Sequence, residues 1–273
     1  MATIDVDPSI LPAIFVDLDG TILNDDGQVD EKSALLLSEL AAMEVRVVVA
    51  TARSPQGALE VIEGLAFDPI CVTLNGALVI DTRNDEIVYE SILPINNYQR
   101  IVSTVEEASL GGSYLALQHR NSFITEAGFM DNCNFVIPHT IGEVRNYSES
   151  ASKLILRTDN YDSSELHHIF GERLSSHSYM STSGDEWLDF SPTNVSKATG
   201  AHQVANYYGF SVSSCVAIGN DLNDVDLLRS VGFGFAVANA RSRILDDPSI
   251  LKLTSDNNSI PLLEVIKRCS SLN

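Results

Sequence analysis

The chain has few basic residues. Its 273 residues include 17 Lys and Arg against 37 Asp and Glu, which gives a formal net charge of −20. Because nucleic acids and anionic membranes attract basic surfaces, this balance argues against both as partners. It does not argue against a small phosphorylated molecule, since a bound cation and a few basic side chains reverse the field locally.

Long apolar runs and a secretory leader are also lacking. No uninterrupted apolar stretch reaches the ~18 residues of a membrane span, and the start MATIDVDPSI has neither the basic end nor the apolar centre of a signal peptide. The cysteines are widely scattered and form no zinc or redox pair: Cys71, Cys133, Cys215 and Cys269. These absences predict a cytoplasmic protein with reduced thiols. The acidic surface is compatible with either a monomer or a homodimer.

Four apolar runs end abruptly on a small polar residue. AIFV stops at Asp17, VVVA at Thr51, ICVTL at Asn75 and CVAIG at Asn220. Continuous apolar runs of this length are typical of strands buried on both faces of a parallel sheet, whose ligands bind beyond the carboxyl ends of the strands. The pattern predicts an α/β fold with a doubly wound, Rossmann-like sheet, and one crevice that collects the polar residues.

The pattern of apolar and polar residues changes in the middle of the chain. Short segments such as IVYES, SYLALQH, SFITEA and KLILRT alternate with the helical patterns NNYQRIVSTVEEA and SSELHHIFGERL. Such segments favour antiparallel strands in a mixed unit. We therefore expect a discontinuous core, residues 1–82 and 191–273, into which a smaller α/β cap of residues 83–190 is inserted. The apolar strand at residues 70–74 is assigned to the parallel sheet of the core.

Helix starts are marked by capping residues. Asp30 and Ser54 precede apolar periodic segments, and Pro55 has the chemistry of a first helical residue. A third helix is predicted to begin after Ser196 and to close at Gly209.

The first strand end carries the sequence DLDGT at residues 17–21. Of its two carboxylates, one can attack a phosphoryl group, and the other can protonate the leaving oxygen and then activate water. The alternative is ordinary turn chemistry, in which Asp and Gly are common. The apolar strand before Asp17 and the threonine after Gly20 favour catalysis, with Asp17 and Asp19 as catalytic residues.

The second and third strand ends offer weaker signals. The hydroxyl of Thr51 can donate to a phosphate oxygen, although threonine at a strand end is also common for structural reasons. Arg53 is a candidate substrate contact, with a solvated surface arginine as the alternative. Asn75 is a candidate contact for the leaving group of the substrate, and the alternative is a simple Asn75-Gly76 turn.

Lys197 falls in the first turn of its predicted helix, where the helix dipole is already positive. A bound dianion would resolve that conflict, and the lysine would then neutralise charge on the transferring phosphoryl group. The alternative is a solvent-facing lysine. Asn194, in the loop before this helix, is a further candidate for substrate binding.

The fourth strand end carries the sequence GNDLND at residues 219–224. Carboxylate and amide oxygens are ligands that Mg²⁺ prefers, with waters completing the octahedron. Together with the first motif, this loop predicts a magnesium-dependent site for phosphoryl transfer, whose metal ligands are drawn from the following residues: Asp17, Asp19, Asn220, Asp221 and Asp224.

These four motifs, in this order, resemble those of the haloacid dehalogenase superfamily, and the length with its insertion resembles the Cof-type sugar-phosphatase branch with a C2B cap. The resemblance covers essentially the whole chain. It implies that Asp17 is the nucleophile and Asp19 the acid and base, that Thr51 and Lys197 hold the phosphate, and that Asn223 contacts the phosphate or the substrate. It also implies magnesium bound by Asp17, the backbone carbonyl of Asp19 and the fourth motif.

One position departs from the family pattern. The family usually has Asp directly after the glycine of the fourth motif, where this chain has Asn220. Because an amide oxygen carries no charge, Asp221 or Asp224 must compensate, or the affinity for Mg²⁺ falls. Which of Asn220 and Asp221 is the ligand stays open at this point.

The resulting expectation is a Mg²⁺-dependent phosphatase of a small phosphorylated metabolite, in particular a sugar phosphate, that works through an aspartyl phosphate. One alternative is a phosphotransferase or a specialised phosphatase, for phosphoglycolate or an osmolyte precursor. Another is a protein that binds a phosphorylated metabolite without turnover, which Asn220 would permit.

Overall fold

The computed structural model describes residues 7–131, 138–149, 151–183 and 187–270. The chain divides into two compact units. Met1–Tyr89 and Ser196–Asn273 form the first, called the core unit here, and Glu90–Val195 form the second, called the inserted unit.

The first segment of the core unit alternates strands and helices. Its elements are β1 (Ala13–Val16), α1 (Glu31–Ala42), β2 (Arg46–Val49), α2 (Pro55–Ile62), β3 (Ile70–Thr73), a 3₁₀ turn (Leu74–Gly76), β4 (Leu78–Asp81) and β5 (Glu86–Glu90). The predicted caps are confirmed, because the side chains of Asp30 and Ser54 accept hydrogen bonds from backbone amides of α1 and α2.

The inserted unit mixes strands with two long helices. Its elements are α3 (Ile95–Ala108), β6 (Ser113–His119), β7 (Ser122–Thr125), β8 (Thr140–Ile141), β9 (Lys153–Thr158), α4 (Ser163–Leu174), β10 (Tyr179–Ser183) and β11 (Trp187–Ser191). The strands form one sheet in the order β10-β11-β9-β6-β7-β8. Its pairs are antiparallel except the short parallel pair of β7 and β8.

The second segment of the core unit begins with the predicted helix. Its elements are α5 (Lys197–Tyr208), a 3₁₀ turn (Val212–Ser214), β12 (Val216–Gly219), a 3₁₀ turn (Leu222–Asp224), α6 (Val225–Ser230), β13 (Phe233–Ala236), α7 (Ser242–Leu245), β14 (Leu251–Lys252) and α8 (Pro261–Ser270). Ser196 caps α5, and Gly209 closes it in the left-handed conformation with φ 79°, as predicted.

The central sheet of the core unit is fully parallel and has the strand order β14-β13-β12-β1-β2. All residues of β1 and β12 are buried, as expected for strands covered on both faces. Helices α1, α2, α5, α6 and α8 contribute side chains to the same apolar core. The predicted α/β fold with a parallel sheet and an additional α/β unit is therefore confirmed.

Two strand assignments were wrong. The strand at residues 70–74 joins the parallel sheet only through an isolated bridge between Ala50 and Val72, and β3 instead pairs antiparallel with β4. The segment IVYES was assigned to the insertion, yet β5 lies beside β4 in a three-stranded sheet that includes β3. A tight turn at residues 74–76 reverses the chain there, which periodicity alone does not reveal. Consequently, the first boundary of the insertion falls at residue 90 and not at 83.

The second boundary also moves. Strands β10 and β11 were not predicted, and β11 pairs with β9 in the sheet of the inserted unit, which extends to Val195. Of the described cysteines, Cys71, Cys215 and Cys269 are free thiols, whereas Cys133 lies outside the described residues. None of the helices described is both long and apolar enough to cross a membrane.

Candidate active site

The polar residues of the core unit lie where neighbouring parallel strands end. Asp17 follows β1 and Asn220 follows β12, and the amide of Asp17 donates to the carbonyl of Ile218 at 3.0 Å. On the other side, the amide of Thr51 donates to the carbonyl of Val72 at 2.9 Å. Because the carboxyl ends of parallel strands share one edge of the sheet, these groups meet in one site.

Lys197 lies between two carboxylates. Its Nζ donates to Oδ1 of Asp17 at 2.6 Å and to Oδ1 of Asp224 at 2.7 Å. All three side chains are buried, and Lys197 is only 1% exposed. The alternative of a solvent-facing lysine is therefore wrong.

The electrostatics of this arrangement are set by burial and by mutual attraction. Burial alone lowers the pKa of Lys197, but Asp17 and Asp224 outweigh it and raise that pKa above its ordinary value. Burial raises the pKa of Asp17 to about 7, although Lys197 opposes the shift. The lysine therefore stays protonated beside two carboxyl groups and supplies the site with a fixed cation.

Glycine allows α5 to carry Lys197 to this place. A Cβ on Gly76, which has φ +91°, would lie 2.0 Å from the carbonyl oxygen of Ser196. A Cβ on Gly200 would lie 2.3 Å from Cγ1 of Val72. The first turn of α5 thus lies directly against β3 and the turn after it. A side chain at position 76 or 200 would prevent this close approach.

Asp224 organises the loop after β12. Its Oδ2 accepts the backbone amides of Asn220 at 2.9 Å and of Asp221 at 3.0 Å, while its Oδ1 accepts Lys197. Both oxygens are thus engaged within the protein. A Cβ on Gly219 would approach Cγ of Asp224 to 2.5 Å, so the glycine of this motif makes room for the carboxylate.

Asn220 and Asp17 face a common partner. The hydroxyl of Thr21 lies 3.1 Å from Oδ1 of Asn220 and 3.2 Å from Oδ2 of Asp17. Asp221 turns elsewhere, because its Oδ1 lies 2.6 Å from Nε of Arg241. Of the two residues between which the sequence left the choice open, it is Asn220 whose side-chain oxygen lies beside Asp17.

The donor set fits a hard divalent cation such as Mg²⁺, because a carboxylate oxygen of Asp17 and the amide oxygen of Asn220 both lie within hydrogen-bond distance of the Thr21 hydroxyl. Within the described residues, no group of three or more His, Cys, Asp or Glu side chains could by itself hold a metal ion. A magnesium ion here would therefore depend on Asn220, on backbone oxygen and on water to complete its coordination.

Asp19 is paired with Arg53. Nε and Nη2 of Arg53 donate to the two carboxylate oxygens at 2.8 and 2.6 Å, and the side chain of Asp19 is 60% exposed. Hydrogen bonding to Asp19 raises the pKa of Arg53. The backbone amide of Arg53 donates to Oγ1 of Thr51 at 3.1 Å, and this hydrogen bond stabilises the loop after β2. Arg53 thus contacts the predicted acid and base in this structure.

Asn75 and Asn223 form a second pair of predicted contacts. Asn75 is fully buried in the left-handed conformation, with φ 56°. Its backbone N–H donates to the backbone carbonyl of Thr51 at 3.0 Å. Nδ2 of Asn223 donates to Oδ1 of Asn75 at 2.9 Å. Oδ1 of Asn223 is buried and accepts no hydrogen bond. The side chains of these two predicted residues are therefore brought together beside Thr51.

One predicted residue belongs to the inserted unit, and two residues at this edge of the core unit were not predicted. Asn194 is exposed and belongs to the inserted unit, so its predicted role in substrate binding stays a prediction. Asn239 donates to the carbonyl of Gly20 at 2.8 Å, and Arg241 holds Asp221. Both follow β13, the next strand of the parallel sheet, so the same strand-end argument applied to FGFAV would have found them.

Acidic, basic and amide side chains thus gather at one edge of a parallel sheet, which is where α/β enzymes bind their ligands. The model of the haloacid dehalogenase-like hydrolases matches residues 14–263, and the chain belongs to this family. The predicted superfamily and the predicted hydrolase activity are thereby confirmed.

Several relatives are phosphatases by name. The chain is similar to the HMP-PP phosphatase of Klebsiella pneumoniae, with 23% identity over 88% of this chain and 89% of that protein. It is 24% identical to the 5-amino-6-(5-phospho-D-ribitylamino)uracil phosphatase of Bacillus subtilis, over 92% of this chain and 90% of that protein. The solved structure of the phosphatase BT1666 from Bacteroides thetaiotaomicron has the same fold, with a TM-score of 0.82, 19% identity and 99% coverage of both chains.

Proposed function

We propose that this phosphatase is magnesium-dependent and hydrolyses a small phosphorylated metabolite, in particular a sugar phosphate, through an aspartyl phosphate on Asp17. The observation that carries the proposal is the buried contact of Asp17 with Lys197, at a strand end that also bears Asp19. A nucleophile, a fixed cation and a second carboxylate are the groups that phosphoryl transfer needs.

The first step forms a bond between phosphorus and a carboxylate oxygen of Asp17, while the bond from phosphorus to the ester oxygen breaks. The leaving oxygen takes a proton from Asp19. Lys197 and the hydroxyl of Thr51 stabilise the negative charge on the phosphoryl oxygens. For Asp19 to act in this way, Arg53 must exchange its contact with this carboxylate for one with the substrate.

In the second step Asp19, now deprotonated, takes a proton from a water molecule that attacks phosphorus. The bond between phosphorus and Asp17 breaks, which releases inorganic phosphate and restores the carboxylate. When bound, Mg²⁺ would neutralise charge on Asp17 and the phosphoryl group, with Asp17, Asn220 and the backbone carbonyl of Asp19 as its protein ligands.

Asp221 and Asp224 have other tasks in this proposal. Asp221 is occupied by Arg241, and both oxygens of Asp224 already accept hydrogen bonds. We therefore propose that Asp224 orients Lys197 and the loop at residues 219–224. Asn75 and Asn223 are proposed to contact the substrate, as predicted from the sequence.

We further propose that the inserted unit selects the substrate. The names of the relatives already include two different substrates, HMP-PP and 5-amino-6-(5-phospho-D-ribitylamino)uracil. This supports a common site for the phosphate and a separate, variable part of the protein that recognises the rest of the molecule. The free thiols of Cys71, Cys215 and Cys269 support a cytoplasmic location.

The test is phosphate release from p-nitrophenyl phosphate and a panel of sugar phosphates, with Mg²⁺ and with EDTA. We expect turnover that needs Mg²⁺ and that falls on the order of 10³-fold or more in Asp17→Asn. Asp26→Asn is the matched control, since it removes an exposed aspartate nine residues along the chain. Retained turnover in Asp17→Asn would contradict the mechanism, and phosphate transfer to an added alcohol would indicate a phosphotransferase.

A further inference from the structure

The loop that follows β13 contacts both loops that carry the proposed metal ligands. Nδ2 of Asn239 donates to the backbone carbonyl of Gly20 at 2.8 Å. Two residues further along, the backbone N–H of Arg241 donates to the backbone carbonyl of Asn220 at 3.0 Å. Gly20 belongs to the loop after β1, and Asn220 belongs to the loop after β12. Residues 238–241 therefore connect the two strand ends, and they are called the bridging loop below.

The two loops that the bridging loop connects also touch each other. A Cβ on Gly20, which has φ +70°, would lie 2.4 Å from Nδ2 of Asn220. The hydroxyl of Thr21, the next residue, lies 3.2 Å from Oδ2 of Asp17 and 3.1 Å from Oδ1 of Asn220. A small displacement of either loop would therefore change the distance between Asp17 and Asn220, the two side chains proposed to bind Mg²⁺.

The loop after β1 is held at both of its ends. At the first end, the N–H of Asp17 donates to the carbonyl of Ile218 on β12 at 3.0 Å. At the second end, the carbonyl of Gly20 accepts the hydrogen bond from Asn239. The carbonyl of Asp19, which is the proposed backbone ligand, belongs to the peptide group directly before Gly20. Asn239 thus restricts the movement of the backbone that carries this ligand.

The side chain of Asn239 is itself fixed by the loop after β14. Its Oδ1 accepts the backbone N–H of Asn257 at 3.1 Å. Because that oxygen must face a donor, the amide nitrogen of Asn239 is directed at Gly20. Asn257 is buried, and its Nδ2 donates to the carbonyl of Leu23 at 3.2 Å and to Oδ1 of Asp25 at 2.9 Å. The same asparagine therefore supports Asn239 and the loop after β1.

The position of the ligands matters more in this chain than in a site rich in carboxylates. Mg²⁺ requires a nearly ideal octahedron with oxygen atoms at about 2.0–2.1 Å. Asn220 offers an uncharged oxygen, and the part of the chain that the structure describes contains no cluster of three or more His, Cys, Asp or Glu side chains suited to a metal ion. Where charge contributes less, affinity depends more on ligands that are already in place before binding.

We propose that Asn239 is a positioning residue for the Mg²⁺ site. Its amide group holds the loop after β1 at the distance from Asn220 at which the proposed ligand oxygens of both loops share one ion. Asn257 supports this role by fixing the orientation of the Asn239 side chain. The inference rests on the proposed function, because it assumes that Mg²⁺ binds at this edge of the sheet.

The test is the melting temperature of the full chain as a function of Mg²⁺ concentration, with EDTA as the metal-free reference. Asn239 is exposed, so alanine at this position leaves the core unit folded. We expect Asn239→Ala to raise the Mg²⁺ concentration for half-maximal stabilisation about fivefold, the effect of losing one hydrogen bond that positions the site. An unchanged concentration would overturn the proposal, even if the melting temperature in EDTA falls.

Asn24→Ala is the matched control. Oδ1 of Asn24 accepts the backbone N–H groups of Asp26 and Gln28, both at 3.0 Å, in the segment that continues from the loop after β1. Its loss should lower the melting temperature by the same amount in EDTA and in Mg²⁺, and leave the half-maximal concentration unchanged. If Asn24→Ala raises that concentration as much as Asn239→Ala does, any weakening of this segment is sufficient and Asn239 has no special role.

The proposed function is tested separately by turnover of p-nitrophenyl phosphate by the unmodified chain. If this turnover needs Mg²⁺ and Asn239→Ala binds Mg²⁺ as tightly as the unmodified chain, the role of Asn239 alone is refuted. If Mg²⁺ neither activates nor stabilises the unmodified chain, the proposed function fails, and the positioning role fails with it.

Discussion

Lys197 and Asp17 meet through a hydrogen bond of 2.6 Å between residues 180 positions apart in the chain. The lysine also holds Asp224, so a single ammonium group links the ends of β1 and β12. Because these charges are buried, each depends on the others for its stability. The predicted chemistry and the stability of the core unit are therefore coupled in the same three side chains.

The first prediction concerns Lys197→Met. The substitution leaves two buried carboxylates without their cation, and we expect the free energy of unfolding at pH 7 to fall by about 3–5 kcal/mol. Urea unfolding measures the change. Lys252→Met, at an exposed position of β14, is the control, with an expected change within about 0.5 kcal/mol. Equal stability of the two variants would show that the buried contact contributes nothing.

A second prediction tests the close approach of α5 to the turn after β3. Gly76→Ala places a methyl group against the carbonyl of Ser196, whereas Gly64→Ala meets nothing within 4 Å, although both glycines have positive φ. We expect Gly64→Ala to cost about 1 kcal/mol, from backbone strain alone. Gly76→Ala should cost at least about 2 kcal/mol more, because the backbone must move.

Activity gives this comparison a second readout. Displacement of α5 should move Lys197 and lower kcat in Gly76→Ala, while Gly64→Ala should retain the kcat of the unmodified chain. If both variants lose activity equally, the close approach of α5 at Gly76 does not determine the position of Lys197.

The third prediction concerns the amide at position 220. Asn220→Asp adds a negative charge beside Asp17, and we expect the Mg²⁺ concentration for half-maximal stabilisation to fall about tenfold, equivalent to about 1.4 kcal/mol. Melting temperature as a function of Mg²⁺ measures this without relying on turnover. Asp221→Asn serves as the comparison, because Arg241 already occupies Asp221. A larger effect of Asp221→Asn than of Asn220→Asp would reverse the ligand assignment.

The fourth prediction is a pH dependence of stability. Burial raises the pKa of Glu264, but backbone amides of Thr254 and Ser255 together with Arg268 outweigh burial and lower that pKa to about 2. A carboxyl group whose pKa is lowered by folding contributes stability above its unfolded pKa, and the contribution is lost as pH falls toward 2.

Accordingly, Glu264→Gln should lower the free energy of unfolding by about 1–2 kcal/mol at pH 7, and the difference from the unmodified chain should shrink as the pH falls from about 4.5 to 2. Unfolding in urea at several pH values measures it. Glu172→Gln, at an exposed position of α4, controls for the change in charge. A difference that does not depend on pH would exclude the carboxylate as its source.

Sequence patterns were sufficient for the parts of the site that follow strand ends. Asp17, Thr51 and Asn220 each come directly after an apolar run, and the parallel sheet brings β1, β2 and β12 together at one edge. Lys197 was found through its helix cap, since Ser196 defines the first turn of α5. These features depend on local sequence and on one general rule of topology.

Features that depend on contacts between distant residues were not predictable. Asn75 is in the left-handed conformation where the chain reverses into β4, and this turn lies directly against the first turn of α5. The pairing of Asp221 with Arg241 depends on where the loop after β13 lies. Likewise, the distance between Arg53 and Asp19 depends on a side-chain conformation, which no periodicity encodes.

The position of β1 in its sheet has a consequence for synthesis of the chain on the ribosome. β1 pairs with β2, which follows within 50 residues, and with β12, which begins only at Val216. During translation, one edge of this apolar strand therefore has no strand to pair with until the inserted unit and β12 have been synthesised. An unpaired apolar edge favours association with other chains. In the nascent first segment this edge of β1 stays unpaired until residues 216–219 have been synthesised and pair with it.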